Sequence, residues 1–353
     1  MTSQGVIKIE NREISAKHPP YIVAELSGNH NGDLSQALKI MEVAKKAGAD
    51  AVKLQTYKAD SITIDHDGPE FTISQGLWKG RTLYDVYQEA MTPWEWHKAL
   101  FKKGKELGIT VFSSPFDAAA VEFLETFDVP AYKIASPEII DLPLIKLVSS
   151  KYKPVIISTG MATEIEIQEA VDTAREAGAR NIILLHCVSA YPTDPKDSNL
   201  LILSELESNF GVIGGLSDHT LGTATAIAAV ALGASVIEKH VTLSRASGGI
   251  DSDFSIEPDE LETLVRDARI AWQALGEVRY GPSISERESL KFRRSLYAVC
   301  NIGEGEPVTN ENVRSIRPSN GLAPKHLPNI IGKCAVKNIK RGSPISWDLL
   351  DRS

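Results

Sequence analysis

Cysteine is scarce in this 353-residue chain: Cys187, Cys300 and Cys334 are all there is. An odd count of three builds no disulfide framework and suits a reducing compartment. Long apolar runs are missing too. The longest, Ala224 to Ile237, is about 14 residues and is broken by Thr225, Gly233 and Ser235, whereas a bilayer span needs about 20. The N-terminus lacks the basic-then-apolar layout of a secretory signal. Positive charge is in deficit, with 38 basic against 46 acidic residues and a formal net charge of −8. That leaves no basic stripe for nucleic acid, although a local basic pocket for an anionic substrate remains open. The expectation is a cytoplasmic protein with neither membrane nor nucleic acid as partner.

What is present is ordinary core material, 42% hydrophobic and 24% charged, enough to bury a large interior without staples. The length suits two domains, or one large barrel with an appendage. From about residue 20 to 275, short β-branched runs alternate with amphipathic stretches of helical length. The runs are Tyr21–Glu25, Ala51–Thr56, Ile109–Ser114, Ala131–Ser136, Pro154–Gly160, Asn181–Cys187, Val212–Asp218 and Ser235–Val241. Eight such units in that length predict a parallel (β/α)8 barrel, a TIM barrel, with a doubly wound open sheet as the competing fold. Asp33 with Gln36 and Thr163 with Glu166 have capping-box spacing. Ile167, Ala170, Val171 and Ala174 share one helix face, and Pro258 marks the start of the last helix.

The expected organisation is a barrel over residues 1–275 opened by a short N-terminal arm, a linker over 276–292, and a small β-rich domain over 293–353. One insertion, Lys58 to Thr92, breaks the rhythm and carries Trp78, Lys79 and Arg81. Loops that long are usually functional or covering elements.

In such a barrel the chemistry lies at the C-terminal strand ends. Polar residues crowd there: Glu25, Lys53, Gln55, Ser113, Ser114, Lys133, Ser136, Ser158, His186, Ser217, Asp218, His219, Glu238 and His240. Strand alternation puts Lys53 with Gln55 on one face, and Glu238 with His240 on another. His219 and His240 end neighbouring strands and can share one divalent metal, with Glu238 as a supporting partner. Lys53 and Lys133 read as anion clamps, and Ser136, Ser158 and Ser217 as donors to the same anion. A Schiff-base lysine is the rival chemistry. Cys187 reads as a buried, inert thiol, since it and His186 face opposite ways.

The segments IVAELSGNHNGD (22–33), GADAVKLQTYKAD (48–60), YKIASPEI (132–139), IISTGMAT (156–163), GLSDHTLG (215–222) and IEKHVT (237–242) resemble those of the sialic acid synthases. RRSLYAV (293–299) and RPSNGLAPKHL (317–327) resemble that family's C-terminal antifreeze-like (SAF) domain. Within the family the chain is most similar to the pseudaminic acid branch, rather than the N-acetylneuraminate or legionaminate branches. Several stretches carry that likeness, among them Trp78-Lys79-Gly80-Arg81 and Asp251-Ser252-Asp253-Phe254-Ser255.

The resemblance implies condensation of phosphoenolpyruvate with an open-chain amino-sugar aldehyde. It implies a divalent metal on His219 and His240, usually Mn2+, with Co2+ or Mg2+ as alternatives. Lys53, Ser136, Ser158 and Ser217, with Lys133 nearby, fall at phosphoenolpyruvate contacts. Ser189 replaces an Asn that binds phosphate in the N-acetylneuraminate type. Gln55, Glu138, Tyr191 and Asp251 fall around the sugar, and Glu25 or Glu138 at the acid/base. Arg317 falls at a residue that reaches the partner subunit's sugar site, which implies a domain-swapped homodimer.

Overall fold

A computed structural model describes residues 5–352; residues 1–4 and 353, the outer ends of the expected barrel and small domain, lie outside the described residues. The chain divides into two units at Gly276/Glu277. The first opens with an antiparallel hairpin, β1 (Ile7–Ile9) and β2 (Arg12–Ile14). Eight parallel strands follow: β3 (Tyr21–Glu25), β4 (Ala51–Thr56), β5 (Thr110–Pro115), β6 (Tyr132–Ile134), β7 (Val155–Ser158), β8 (Ile182–Cys187), β9 (Ile213–Asp218) and β10 (Val236–His240). They pair in chain order and β10 closes on β3, so the sheet is a closed (β/α)8 TIM barrel and the open-sheet alternative is excluded.

The helices are α1 (Leu34–Ala47), α2 (Ala59–Ile62), α3 (Leu83–Ala90), α4 (His97–Leu107), α5 (Ala118–Glu125), α6 (Leu142–Ser149), α7 (Glu164–Glu176), α8 (Ile202–Phe210), α9 (Ala224–Ala231) and α10 (Pro258–Leu275). Thr163 and Glu166 form the expected reciprocal cap, and the predicted face of α7 is buried. Asp33 caps α1 through Ser35 N–H, but Gln36 does not close the box; its amide donates instead to Asn29 O at 2.5 Å, tying α1 to the turn after β3. The insertion is no bare loop. It holds α2 and α3, and Leu83, Val86, Tyr87 and Ala90 of α3 share one face.

Strand alternation sorts the barrel's side chains into two sets. Tyr21, Val23, Ala51, Phe112, Ile156, Ile183 and Val236 fill the interior. Ile22, Ala24, Val52, Leu54, Ile157, Leu184 and Ile237 pack under the helices. The hairpin's Ile7, Ile9 and Ile14 join the interior set, so the N-terminal arm plugs the N-terminal mouth of the barrel. With apolar side chains filling that half, the inward polar positions are concentrated toward the other end.

The same parity turns several strand-end polar residues outward, away from the expected site. The hydroxyls of Thr56 and Ser113 lie 2.6 Å apart, and Thr56 also meets His97 Nε2 at 2.8 Å. His186 Nε2 donates to Ser198 O at 2.8 Å. Lys239 Nζ pairs with Asp218 at 2.6 Å, and both side chains are 1% exposed. Lys239→Met strands the Asp218 carboxylate in the helix layer. It is expected to lower the unfolding free energy by about 3–5 kcal/mol, measured by urea denaturation.

The second unit contains β11 (Ser295–Ala298) antiparallel to β12 (Val313–Ile316), followed by the short helix α11 (Leu327–Ile330). Leu296, Ala298, Ile302, Val308, Val313 and Ile345 form its core. Among the described residues no helix is long and apolar enough to cross a membrane.

Candidate active site

A cavity of about 480 Å³ opens at the C-terminal mouth of the barrel. Its floor is a buried charge cluster set by strand register, which places Glu25 beside Lys53 and Glu238 beside Ser217. Lys53 Nζ lies 3.0 Å from Glu25 Oε2 and 2.9 Å from Glu238 Oε1; Lys133 Nζ lies 3.4 Å from the same Glu238 oxygen. None of these side chains is more than 5% exposed. Burial alone would neutralise all four. For Glu238 the two lysines outweigh burial and hold its pKa at about 2, while for Lys53 the two carboxylates win and raise it. Burial dominates at Glu25, whose pKa is raised, and at Lys133, whose pKa is lowered. Glu238 thus holds both lysines through Oε1, while its Oε2 is buried with no hydrogen-bond partner among the described residues.

Hydroxyls complete the floor. Ser217 Oγ donates to Glu238 at 3.3 Å, and Ser136 Oγ accepts from Gly160 N–H at 3.1 Å. Ser158 Oγ is buried with no hydrogen-bond partner among the described residues. A Cβ on Gly160 would fall 2.4 Å from Ser189 Oγ and 2.7 Å from Ser136 Oγ, so the glycine is what lets those two hydroxyls converge. Cys187 is buried but faces this cavity, with Sγ 3.8 Å from His219 Nδ1. Burial pushes the thiol up, but the imidazole outweighs it and holds the pKa at about 7. The thiol is buried, as expected from sequence, and it borders the cavity.

His219 and His240 meet with ring centroids 5.2 Å apart. His219 Nδ1–H donates to Val188 O at 3.1 Å, which leaves the Nε2 lone pair free for a ligand. His240 Nδ1 is buried without a partner, and burial, followed by repulsion from His219 and Lys53, pushes its pKa well down. A neutral imidazole with an unsatisfied nitrogen is what a metal ligand requires. Among the described residues no third His, Cys, Asp or Glu completes a protein cage around the pair.

The upper walls hold the residues expected around a sugar. Gln55 Nε2 donates to Glu25 Oε1 at 3.0 Å. Asp251 accepts from Ser27 Oγ and, at 3.3 Å, from Gly28 N–H; burial raises its pKa. The Tyr191 ring lies 4.5 Å from that of His219, tilted by 52°. Glu138 has one carboxylate oxygen without a partner, and burial pushes its pKa up to about 7. Arg317 stands apart from this list: it is exposed directly after β12 in the second unit. Sequence reasoning passed over Tyr57, Tyr87, Phe116 and Phe254, which also line the cavity. Tyr57 was legible, since it continues the alternation of Lys53 and Gln55. Phe254 sits on a short turn with no periodic signal.

Residues 40–280 match the NeuB family, and residues 293–351 match the SAF domain. The chain belongs to the NeuB family. The pseudaminic acid synthase of Campylobacter jejuni is 45% identical over 325 residues, covering 92% of this chain and 95% of that protein. That of Helicobacter pylori is 43% identical over 337 residues, covering 95% and 99%. Among solved structures, the N-acetylneuraminic acid synthetase of Leptospira borgpetersenii, a citrate complex, superposes with a TM-score of 0.73 at 32% identity, over 82% of this chain and 96% of that one. The NeuB match covers seven of the eight barrel strands, β4 through β10, and leaves the hairpin and β3 before it.

Proposed function

We propose that this protein condenses phosphoenolpyruvate with the open-chain aldehyde of 2,4-diacetamido-2,4,6-trideoxy-altrose and water, giving pseudaminic acid and phosphate. The observation that carries the reading is the placement, in one cavity, of two buried lysines with converging hydroxyls and an imidazole pair. Higher identity to pseudaminic acid synthases than to the N-acetylneuraminic acid synthetase supports the choice of sugar.

Lys53 and Lys133 bind the phosphate and carboxylate of phosphoenolpyruvate, with Ser136, Ser158, Ser189 and Ser217 as donors; fixed charges in a dry site compensate the polyanion without reorganisation. His219 and His240 fit a divalent cation, on the free Nε2 of the one and the unpartnered nitrogen of the other, and such an ion, Mn2+ before Co2+ or Mg2+, supplies Lewis acidity toward the aldehyde oxygen. Gln55, Tyr191 and Asp251 orient the sugar so that its aldehyde carbon faces C3 of the enol, converting an encounter into a near-unimolecular step. The C3–C1 bond forms, water adds to the cationic C2, and phosphate departs with the C2–O bond broken. Glu138 takes one proton from that water and passes it to the aldehyde-derived oxygen, and the water's second proton leaves with phosphate as C2 becomes the ketone. Glu25, already held by Lys53 and Gln55, fixes the lysine.

Phosphoenolpyruvate labelled with 18O in the bridging position tests this. The label is expected in phosphate, mole for mole with the ketose product; label retained in the ketose would overturn the C–O cleavage.

Glu138 also sets a pH dependence. Its folded pKa of about 7 lies above the usual carboxyl value of 4.5, so the native state binds the extra proton. The resulting stabilisation is complete below pH 4.5 and is lost as pH rises to about 7. Catalysis by its carboxylate has the opposite slope. The kcat/KM profile is expected to rise through about pH 7, and Glu138→Gln is expected to remove that limb while lowering kcat/KM by about 10²-fold, within the usual range of general-base contributions.

The small domain is proposed to cap the partner's barrel in a homodimer, with Arg317 acting there. Arg317→Ala mixed with Lys53→Met is then expected to regain part of the activity through hybrid dimers, measured by phosphate release.

A further inference from the structure

The insertion between β4 and α4 adds an apolar wall to one side of the cavity. Leu83, Val86 and Ala90 of α3 and Ile73 before it line the space, and Val86, Ala90 and Ile250 pack into one cluster. Trp78 closes the cluster, with its Nε1–H spent on Ile250 O at 2.9 Å. Its ring lies 5.9 Å from Tyr191, which itself lies 4.5 Å from His219. The wall therefore belongs to the same cavity as the imidazole pair, and one aromatic ring joins the two regions. A Cβ on Gly28 would fall 2.2 Å from Ile250 and 3.1 Å from the Ala90 Cα, so a glycine in the turn after β3 is needed for the wall to close.

Nothing in the lysine cradle or the imidazole pair needs such a surface. A polyhydroxylated sugar end would leave hydroxyls unpaired against it, whereas a methyl group would be buried at no polar cost. With the aldehyde carbon of an open-chain hexose at the imidazole pair, the opposite end of the sugar is the part left to meet a second wall.

We propose that this wall, led by Val86 and Leu83, is the specificity element of the site and selects a sugar whose distal carbon is a methyl group over one whose distal carbon bears a hydroxyl. The inference rests on the synthase reading above and adds which residues choose the substrate. A hydrophobic site discriminates by methyl-sized differences only to about 10–200-fold, so the preference is finite and measurable.

The test compares kcat/KM for the 2,4-diacetamido-6-deoxy aldehyde with that for its 6-hydroxy analogue, in the wild-type protein and in Val86→Thr. The threonine keeps the valine's shape and exchanges one methyl for a hydroxyl. Leu83→Gln, at a half-buried position, is the second variant if the first is unstable. Wild type is expected to prefer the deoxy sugar by at least about 10-fold, and each variant to cut that ratio at least threefold with the KM for phosphoenolpyruvate unchanged. A wild-type ratio near one overturns the proposal. So does a ratio unmoved in a variant that melts at the wild-type temperature. Absence of phosphate release with every amino-sugar aldehyde overturns the synthase reading itself, a result distinct from lost selectivity.

Discussion

Replacing Lys53 by methionine is expected to lower kcat/KM by about 10³-fold or more and to destabilise the fold by about 3–5 kcal/mol, because it removes one partner of a buried ion cluster. Lys53 sits 3.0 Å from Glu25 and 2.9 Å from Glu238, and both carboxylates are buried, so losing the cation leaves them poorly compensated. Lys133 does not replace it, since among the described residues its ion pair is with Glu238, at 3.4 Å. One carboxyl must then take up a proton, and Glu25, whose pKa burial already raises, is the one that yields. The double variant Lys53→Met/Glu25→Gln separates structure from chemistry, since Glu238 keeps Lys133 as its partner. It removes the stranded charge, so the melting temperature is expected to recover in part while activity does not. Full recovery of activity would mean that Lys53 only balances charge and touches no substrate. Urea denaturation and phosphate release supply the two readouts.

His240→Ala is expected to cost about 10³-fold in kcat, in line with the several kcal/mol that a Lewis acid contributes. Its ring makes no hydrogen bond through the buried Nδ1, so the loss should come with little change in unfolding free energy. Catalytic metal sites commonly have three protein ligands, and this pair offers two. The ion is therefore expected to be held loosely, stripped by chelator and restored by Mn2+. Binding to the native state alone raises the melting temperature, by mass action. Added Mn2+ should thus stabilise the wild-type protein and leave His240→Ala unmoved, which can be measured by calorimetry without any turnover. Equal stabilisation of both would place the ion elsewhere.

Much of this site was legible because a barrel converts sequence parity into geometry. Once Tyr21–Glu25, Ala51–Thr56 and Val236–His240 are strands, Glu25, Lys53, Glu238 and His240 must point into one space. Parity also decides against Ser113, His186 and Asp218, which belong to the helix layer. What stayed hidden depends on how far a side chain reaches and on irregular chain. Glu238 was read as a supporting partner of the histidine pair, and its reach to Lys53 and Lys133 was not foreseen. Cys187 was read as packing, though parity put it on the inner face with Ser217 beside it. The insertion's wall could not be read at all, since Trp78 and Ile250 meet across 172 residues through a backbone carbonyl. The hairpin plug escaped for a similar reason: three isoleucines in a short polar arm carry no period long enough to announce a buried strand pair.

One cavity joins the lysine and hydroxyl cradle to the imidazole pair. The most direct measurement is phosphate release from phosphoenolpyruvate with Mn2+ present, against the aldehydes of 2,4-diacetamido-2,4,6-trideoxy-altrose, of the legionaminate precursor and of N-acetylmannosamine. The prediction is release with the first at the highest kcat/KM, matched one to one by a nine-carbon ketose identified by mass and NMR. Phosphate release without a ketose, or ketose formed from pyruvate through a borohydride-trappable lysine adduct, would contradict it.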